Sequence, residues 1–510
     1  MAWRNLTVVF TAETNRTTIS CTSFSQSSTR RCDLVSEAAP YPKVSRKLMP
    51  MFCRTPTALL AILLVAPTVA ALDVNETRHL LDRAGFGADP DRLEALNTLD
   101  RAAAIDALLR PTQDSIELPD WSGDRPFMDQ SAFEGLDEAE RQTLRQARNR
   151  EIQARRRDLK AWWYRQMLTS EAPLLERMTL FWHDHFSTEL RQVGSPQLML
   201  QQHLTLRQHA LGNYAELLRA MATDPAMLIY LDGRRNHRAK PNENFARELL
   251  ELFTLGEGQY EEADIQAAAR ALSGWTLDPV SGAARFRPAR HDDGRKTFLD
   301  RTGHFGLDAV LAILLEQPRT AEFIVEKLWR ELISPEPDPN EVVRLAAGFR
   351  EGGYAIRPLL REMLLSEAFW DDANRGSLVK SPVELIVGTI RRFDLPTPHD
   401  RELLALGQRM GQNLFDPPDV AGWPGHTAWI DANRLLMREQ FLRRATRDLA
   451  DESALAGQPW AGLDEEVVRQ WLWPVQGVPV LAAPLPDDDG ELGVREALIE
   501  AILDPRYQLK

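Results

Sequence analysis

Cysteine is nearly absent from this 510-residue chain: its three cysteines are Cys21, Cys32 and Cys53. The remainder of the chain therefore has no disulfide, no thiolate metal site and no cysteine nucleophile. A Gly-rich phosphate loop, a Gly-x-Ser-x-Gly nucleophile elbow and a His-Glu-x-x-His zinc motif are missing as well. These absences exclude the commonest signatures of nucleotide-dependent, serine-hydrolase and metalloprotease chemistry.

A long apolar run is also missing. The run 58–66 is shorter than the roughly 20 residues that a membrane-spanning helix needs, and Pro67 follows it. Arg54 precedes the run and the small residues 69–71 follow it, so 51–71 has the pattern of a signal peptide. We therefore expect a periplasmic or secreted protein without a stable membrane anchor; the alternative is a retained N-terminal anchor.

Residues 1–50 are rich in Ser, Thr and Arg and show no helical or strand period. A true start at Met49 or Met51 explains such an extension, and an organellar transit sequence is the alternative. Of the 61 basic and 74 acidic residues, eight and three lie in 1–71, which leaves 53 and 71 and a net charge of −18. This acidic balance argues against general nucleic-acid binding.

Helical periodicity dominates the rest of the chain, and long alternating β-branched runs do not occur. The sequence predicts a mainly α fold: a large multi-helical domain over 72–450 with little or no β-sheet, followed by a C-terminal loop and helices over 451–510 that pack on it. Long loops are predicted at 111–136, 276–306, 410–430 and 452–490. The predicted helices are 77–84, 137–169, a helix from Pro173, 197–220, 241–254, 261–273, 318–332, 339–350, 355–365, 380–393 and 431–449.

Three polar clusters interrupt the apolar helical sequence, at 182–186, 241–253 and 291–297. Each places histidine, carboxylate or arginine side chains beside large apolar residues. Burying such groups costs free energy unless they pair or bind a ligand. The clusters are therefore the candidate functional sites of this chain.

The first cluster lies on the helix that Pro173 opens, where His185 falls on the apolar stripe. His183 lies about 200° away at about 100° per residue, so a regular helix does not let both rings bind one ion. They share a face only if the helix ends near Trp182 and the chain extends. The alternative is a core His185 bonded to a backbone carbonyl and a surface His183.

The second cluster falls on the helix predicted over 241–254. One interpretation is a solvated face with an Arg247–Glu251 pair, worth roughly 0.2–0.5 kcal/mol. The other is a cleft wall in which Glu243 or Glu248 is a metal ligand or general base and Arg247 binds an anionic group. The residues alone favour the solvated face. The polar stripe consists of Asn244, Arg247, Glu248 and Glu251.

The third cluster lies in a predicted loop, which suits the presentation of polar groups to a cleft. With His185 and Glu248, His291 would complete a metal site of nitrogen and oxygen ligands, suited to zinc, manganese or iron. Lys296 would bind a phosphate or carboxylate. The alternatives are a simple Asp293-Gly294 turn and a solvated lysine.

Several separated motifs occur in an order that resembles the bacterial exported domain-of-unknown-function family 1800 across nearly all of 76–510. They are 78–87, 176–186, 242–256, Ser273-Gly274-Trp275, His291-Asp292, Lys380-Ser381-Pro382-Val383-Glu384, and 410–412 through 423–425. The resemblance implies a helical exported protein, often encoded beside an exported sulfatase-like protein, with no established activity. The family pattern often has Asn where this chain has Asp184.

Two hypotheses for function follow. The first is an exported hydrolase-like enzyme whose His/carboxylate site activates water, with or without a divalent metal ion. The second is a non-catalytic secreted scaffold that binds a partner such as the sulfatase-like protein. The candidate catalytic residues are His183, His185, Glu243, Arg247, Glu248, His291 and Lys296, and the candidate metal ligands are His185, Glu248 and His291.

Overall fold

The computed structural model describes residues 70–110, 116–128, 130–449, 465–475 and 494–510. The three cysteines, the predicted extension 1–50, nearly all of the predicted signal peptide and most of the predicted loop 452–490 lie outside these residues. Within them the mainly α prediction is confirmed.

The helices follow one another along the chain with short connections. The first group is α1 (Val74–Ala84), α2 (Pro90–Asn97), α3 (Arg101–Leu108), α4 (Glu138–Thr169), α5 (Pro173–His185), α6 (Leu190–Val193), α7 (Pro196–His209), α8 (Tyr214–Ala222) and α9 (Pro225–Tyr230). The second is α10 (Asn244–Glu248), α11 (Glu262–Ala271), α12 (Leu307–Glu316), α13 (Pro318–Leu332), α14 (Pro339–Glu351), α15 (Ile356–Leu365) and α16 (Glu367–Trp370). The third is α17 (Pro382–Arg392), α18 (Asp400–Met410), α19 (Ala432–Asp448), α20 (Glu465–Leu472) and α21 (Val494–Leu503).

Local capping chemistry sets where several helices begin. Asp137 accepts from the backbone of Glu140, whose side chain accepts from the Asp137 N–H, so a capping box opens α4. Ser381 and Glu384 form the same reciprocal arrangement before α17. Proline occupies the first turn of α5 and α17, where its missing N–H costs nothing.

Two predicted helices differ from the observed ones. The segment predicted as one helix over 197–220 is divided between α7 and α8, because Asn213 caps a new helix with its side chain. The segment predicted over 241–254 begins as α10 and continues as a π-helix over Leu249–Thr254. A π turn advances the side chains less per residue than an α turn, so it shifts the polar stripe.

Two small antiparallel hairpins occupy the segment predicted as the loop 276–306. They are β1 (Trp275–Leu277) with β2 (Ala284–Phe286) and β3 (Lys296–Phe298) with β4 (Arg301–Gly303). Leu299 and Asp300 both have positive φ, which suits the two-residue turn between β3 and β4. Strands of three residues are too short for alternation to identify them, whereas the expectation of little β-sheet is confirmed.

Helix α5 is buried on nearly every side, which makes it a central element of the core. It packs against α7, α4 and α1. Two arginines donate to carbonyls at the ends of neighbouring helices. The buried Arg83 donates to Leu332 and Ile333, and the half-buried Arg391 donates to the last carbonyls of α4. These donors satisfy carbonyls that a helix end leaves unpaired.

The C-terminal helices contact the N-terminal part of the fold. Helix α20 packs on α21 and on α1, and α21 packs on α19. The described residues from 70 to 510 belong to one compact unit. Across the described ranges, no helix combines the length and apolar character needed to cross a membrane.

Candidate active site

A cleft opens where α5, the end of α13 and the loop 411–431 meet. It has a volume of about 80 Å³, enough for a few water molecules or one small polar group. Its lining is dominated by charged and aromatic side chains, chiefly Arg177, Phe181, Asp184, Arg330, Glu331, Glu384, Trp423 and His426. The cleft is therefore suited to a polar ligand.

Asp184 occupies the wall that α5 contributes. Its Oδ1 accepts a 2.6 Å hydrogen bond from the backbone N–H of Trp423. Burial raises the pKa of the Asp184 carboxyl to about 7, against the opposing effects of the Trp423 hydrogen bond and the charge of Lys327. This carboxyl therefore exchanges a proton near neutral pH.

Gly422 allows the loop to approach Asp184 so closely. Its φ is +98°, and a Cβ at this position would lie 2.4 Å from Asp184 Oδ1. Both the backbone conformation and the lack of space require glycine. The loop that covers the cleft is thus fixed to α5 at this point.

Lys327, on α13, lies beside the same end of α5. Its Nζ is 3.1 Å from Nδ1 of His185. Burial lowers the pKa of Lys327 to about 8, although the Asp184 carboxylate raises it. Burial lowers the pKa of His185 well below its ordinary value, and Lys327 lowers it further, so the ring is neutral. Because Lys327 donates to Nδ1, the ring proton lies on Nε2.

A buried ion-pair network forms the opposite wall. Arg177 bridges Glu331 on α13 and Glu384 on α17. The Nζ of Lys510 lies 2.5 Å from Glu384. Burial alone would raise the pKa of Glu384, but Arg177 and Lys510 lower it to about 2. This wall is permanently charged at neutral pH, in contrast to the titrating Asp184.

His183 lies elsewhere, in an aromatic part of the core. Its ring centre is 4.6 Å from that of Trp163 and 4.8 Å from that of Phe415. Neither ring nitrogen has a hydrogen-bond partner among the described residues, and burial lowers the pKa of His183 to about 3. The interpretation of His183 as a surface residue is wrong: the ring is buried and does not itself line the cleft, although its centre lies 6.3 Å from that of Trp423, which does.

The second cluster forms a surface pairing. Arg247 donates to Glu262 at 2.8 Å and lies 3.8 Å from Glu243, and all three are well exposed. The hydroxyl of Tyr260 donates to Glu251, so the predicted Arg247–Glu251 pair is wrong. The π-helix that follows α10 explains the altered partners.

Glu248, the last residue of α10, is half-buried. Burial raises its pKa, and repulsion from Glu251 raises it further, whereas Arg247 lowers it. Glu248 therefore keeps a perturbed carboxyl, but at the surface pairing and not at the cleft.

The side chains of the third cluster form hydrogen bonds with nearby backbone carbonyls. His291 Nδ1 lies 2.9 Å from the carbonyl oxygen of Ser273. Lys296 is buried and donates to the carbonyls of Asp292 at 2.5 Å and Gly294 at 2.9 Å. The alternative of a solvated Lys296 is wrong, because its Nζ is buried and donates within the loop. Asp292 in turn pairs with Arg270 at 2.7 Å.

The predicted metal triad is not assembled. Across the ranges that the structure describes, no group of three His, Cys, Asp or Glu side chains is placed to hold a metal ion. His185 Nδ1 is engaged by Lys327, and His291 Nδ1 by Ser273, so the two rings serve different neighbours. Helical spacing alone does not report such long-range partners.

Several residues of the cleft were not predicted as functional. Asp184 lay within the first polar cluster and Arg177 within the motif 176–186, but neither was chosen, and Lys327 and Glu331 carried no motif. The only feature of the sequence that could have identified them is a charged side chain on a helix with a strong apolar face, such as α13. Such a residue is ordinarily solvated, so this signal is weak.

The fold and the cleft define a mainly helical protein in which Asp184 lines a small polar cleft. The family model described as "Protein of unknown function (DUF1800)" matches residues 79–504, and the chain belongs to this family. No curated protein and no solved structure matches the chain.

Proposed function

We propose that this protein is a hydrolase-like enzyme that activates water at Asp184 in the cleft. The observation that carries the proposal is the placement of this carboxyl on the cleft wall, with Lys327 and the Trp423 N–H as its electrostatic neighbours. A carboxyl that titrates near neutral pH is a suitable general base. Since the family resemblance implies that Asn often stands at this position, we propose this role of Asp184 for this chain alone.

The chemistry is hydrolysis of a small ester-like or amide-like group. The Asp184 carboxylate takes a proton from water while the water oxygen bonds to the carbonyl carbon. The guanidinium groups of Arg177 and Arg330 on the wall stabilise the negative charge that develops on the carbonyl oxygen. Asp184 then returns the proton to the leaving group as the carbon–leaving-group bond breaks. Lys327 acts as a positioning residue that tunes the carboxyl.

The test compares wild-type protein with Asp184→Asn on a panel of p-nitrophenyl esters. Asn keeps an oxygen for the Trp423 N–H but accepts no proton, so we expect a loss of roughly 10²–10⁴ in kcat. The wild-type rate should rise through pH 7, and the variant should lack this rise. Asp308→Asn, which changes an exposed carboxylate paired with Arg219, is the matched control. Equal rates for wild type and D184N, or no hydrolysis by either, would reject the proposal.

The second candidate function is a non-catalytic protein that binds a partner, such as an exported sulfatase-like protein. It is supported by the third cluster, where Lys296 and Asp292 are used in local bonds. Under this alternative, D184N changes stability without changing any rate, and pull-downs from the native host recover the sulfatase-like protein with D184N as well as with wild type.

Export belongs to the same proposal, because the segment 51–71 has the pattern of a signal peptide. Cleavage is expected after Ala70 or Ala71. N-terminal sequencing of the protein recovered from the periplasm or medium tests this expectation, and an intact N-terminus in the cytoplasmic fraction would contradict it.

A further inference from the structure

Five cationic side chains on one face of the fold lack a carboxylate partner within the described residues. They belong to the loop 232–240 and to the turn 287–290 that follows β2, and we call them the basic surface: Arg234, Arg238, Lys240, Arg287 and Arg290. The adjacent ion pairs belong to other arginines, with Arg235 3.2 Å from Asp232 and Arg285 2.9 Å from Asp278. An unpaired basic surface is unexpected on a chain with a formal net charge of −13.

Backbone hydrogen bonds hold the loop and the turn together. The N–H of Arg238 donates to the carbonyl of Arg290 at 2.8 Å. The N–H of Gly274 donates to Asn236, and the N–H of Arg287 donates to Gly274. The Asn236 side chain also donates to the carbonyl of Ala269 on α11. The arginines are therefore presented on a fixed framework, which limits the entropy lost on binding.

A groove of about 630 Å³ runs through the basic surface. Arg234 and Arg290 lie on its sides. Its apolar lining comes from Phe127, Leu277 and Val280, and the side chain of Val280 is 52% exposed. The groove also contains Asp278, which is already paired with Arg285 and bonded to Ser281. An apolar floor between guanidinium groups suits a ligand with ring faces and anionic edges.

We propose that the basic surface binds an acidic polysaccharide that carries carboxylate groups. Guanidinium groups bind carboxylates bidentately, and sugar rings present apolar faces to side chains such as Phe127 and Val280. The overall negative charge and the Asp278 carboxylate in the groove disfavour a polymer as densely charged as nucleic acid. The site is separate from the cleft at Asp184 and goes beyond the proposed hydrolysis.

The test is the binding of fluorescently labelled polygalacturonate to the purified protein, measured by anisotropy at several salt concentrations. The double variant Arg234→Ala with Arg290→Ala removes two groups of the groove. We expect its Kd to rise at least about tenfold, since each charged hydrogen bond contributes substantially to affinity. The control removes the same charge from the exposed Arg401 and Arg409 on α18, which packs against other helices.

Four results would support the proposal together: binding to polygalacturonate, no binding to neutral dextran, weakening with salt, and loss only in the R234A/R290A variant. Thermal unfolding of R234A/R290A that matches wild type shows that a folding defect does not cause its loss of binding. No binding at low salt overturns the proposal. Equal loss in both double variants, or tighter binding of single-stranded oligonucleotides of matched charge, overturns it as well.

Discussion

Lys327 Nζ lies 3.1 Å from Nδ1 of His185 and joins α13 to the last residue of α5. This contact gives His185 a role in holding a lysine beside Asp184. A backbone hydrogen bond with Phe253 also acts on the ring and raises its pKa, against the larger effects of burial and of Lys327. His185 is thus a positioning residue in the proposed site, although its sequence pattern suggested a metal ligand.

The stability of Asp184→Asn should depend on pH in a defined direction. The folded pKa of about 7 exceeds the ordinary value of 3.8. Between these values the folded state holds a proton that the unfolded state has lost, so stability falls as pH rises. We expect D184N to be more stable than wild type by about 2 kcal/mol at pH 8 and to show no gain at pH 4.

Chemical denaturation at both pH values measures this difference. D308N, which changes an exposed carboxylate, should show no such pH-dependent gain. A D184N variant that is less stable than wild type at pH 8 would mean that the carboxylate is stabilised in the folded state, contrary to this account.

The substitution His183→Phe should make the stability of the folded protein fall less steeply as the pH is lowered. The folded pKa of about 3 lies below the ordinary 6.5, so between these values the unfolded state binds a proton that the folded state does not. This contribution to stability is complete above pH 6.5 and is lost as pH falls towards 3. Phenylalanine keeps the ring contacts with Trp163 and Phe415 but cannot bind a proton. Over this pH range, the free energy of unfolding of H183F should therefore fall by about 1.4 kcal/mol less per pH unit than that of wild type.

Unfolding curves at pH 7, 6 and 5 test this prediction. His185→Phe is the comparison, because it removes the partner of Lys327 and should destabilise the fold at all three values. An H183F protein with the wild-type slope between pH 7 and 5 would show that His183 is not held neutral.

Local signals predicted the helices well because caps act within a few residues of the chain. The capping boxes at Asp137 and Ser381 are readable from residues three positions apart. The short hairpins were missed because a three-residue strand such as β3 shows no measurable period. The wrong partner for Arg247 has a different cause: the π-helix changes the angular spacing that an i, i+4 argument assumes.

The cleft itself was not predictable from spacing. The bond between Trp423 and Asp184 joins residues 239 positions apart, and that between Lys327 and His185 joins residues 142 apart. Such pairs depend on how helices pack, which no local pattern reports. The sequence identified the polar segment around Asp184, but it assigned the chemistry to the neighbouring histidines.

Gly422→Ala should disrupt the loop that covers the cleft. The added Cβ would lie 2.4 Å from Asp184 Oδ1, in a backbone conformation that L residues rarely adopt. We expect a destabilisation of about 2–4 kcal/mol from the clash and the strain together. Gly258→Ala is the matched control, because its φ is +75° and no atom lies within 4 Å of its Cβ.

Comparing the unfolding free energies of G422A and G258A separates backbone strain from the steric clash with Asp184. G258A should lose about 1 kcal/mol, from strain alone. If G422A is no less stable than G258A, then the loop does not lie against Asp184 as described.

Replacing Glu384 by the uncharged glutamine should strongly destabilise the protein. Glu384 lies in the ion-pair wall of the cleft, buried between Arg177 and Lys510. Glutamine fits the same space but leaves two buried cations without this counter-charge, for an expected loss of about 3–5 kcal/mol at pH 7. Glu439→Gln, which changes an exposed pair with Arg443, should lose less than about 1 kcal/mol.

The pH dependence distinguishes lost charge from altered packing in Glu384→Gln. The folded pKa of Glu384, about 2, lies below the ordinary 4.5, so its contribution is complete above pH 4.5 and is lost as pH falls towards 2. The deficit of E384Q relative to wild type, measured by denaturant unfolding, should therefore shrink between pH 5 and 3. A deficit that stays constant over this range would assign it to packing, and the ion-pair account of this wall would be wrong.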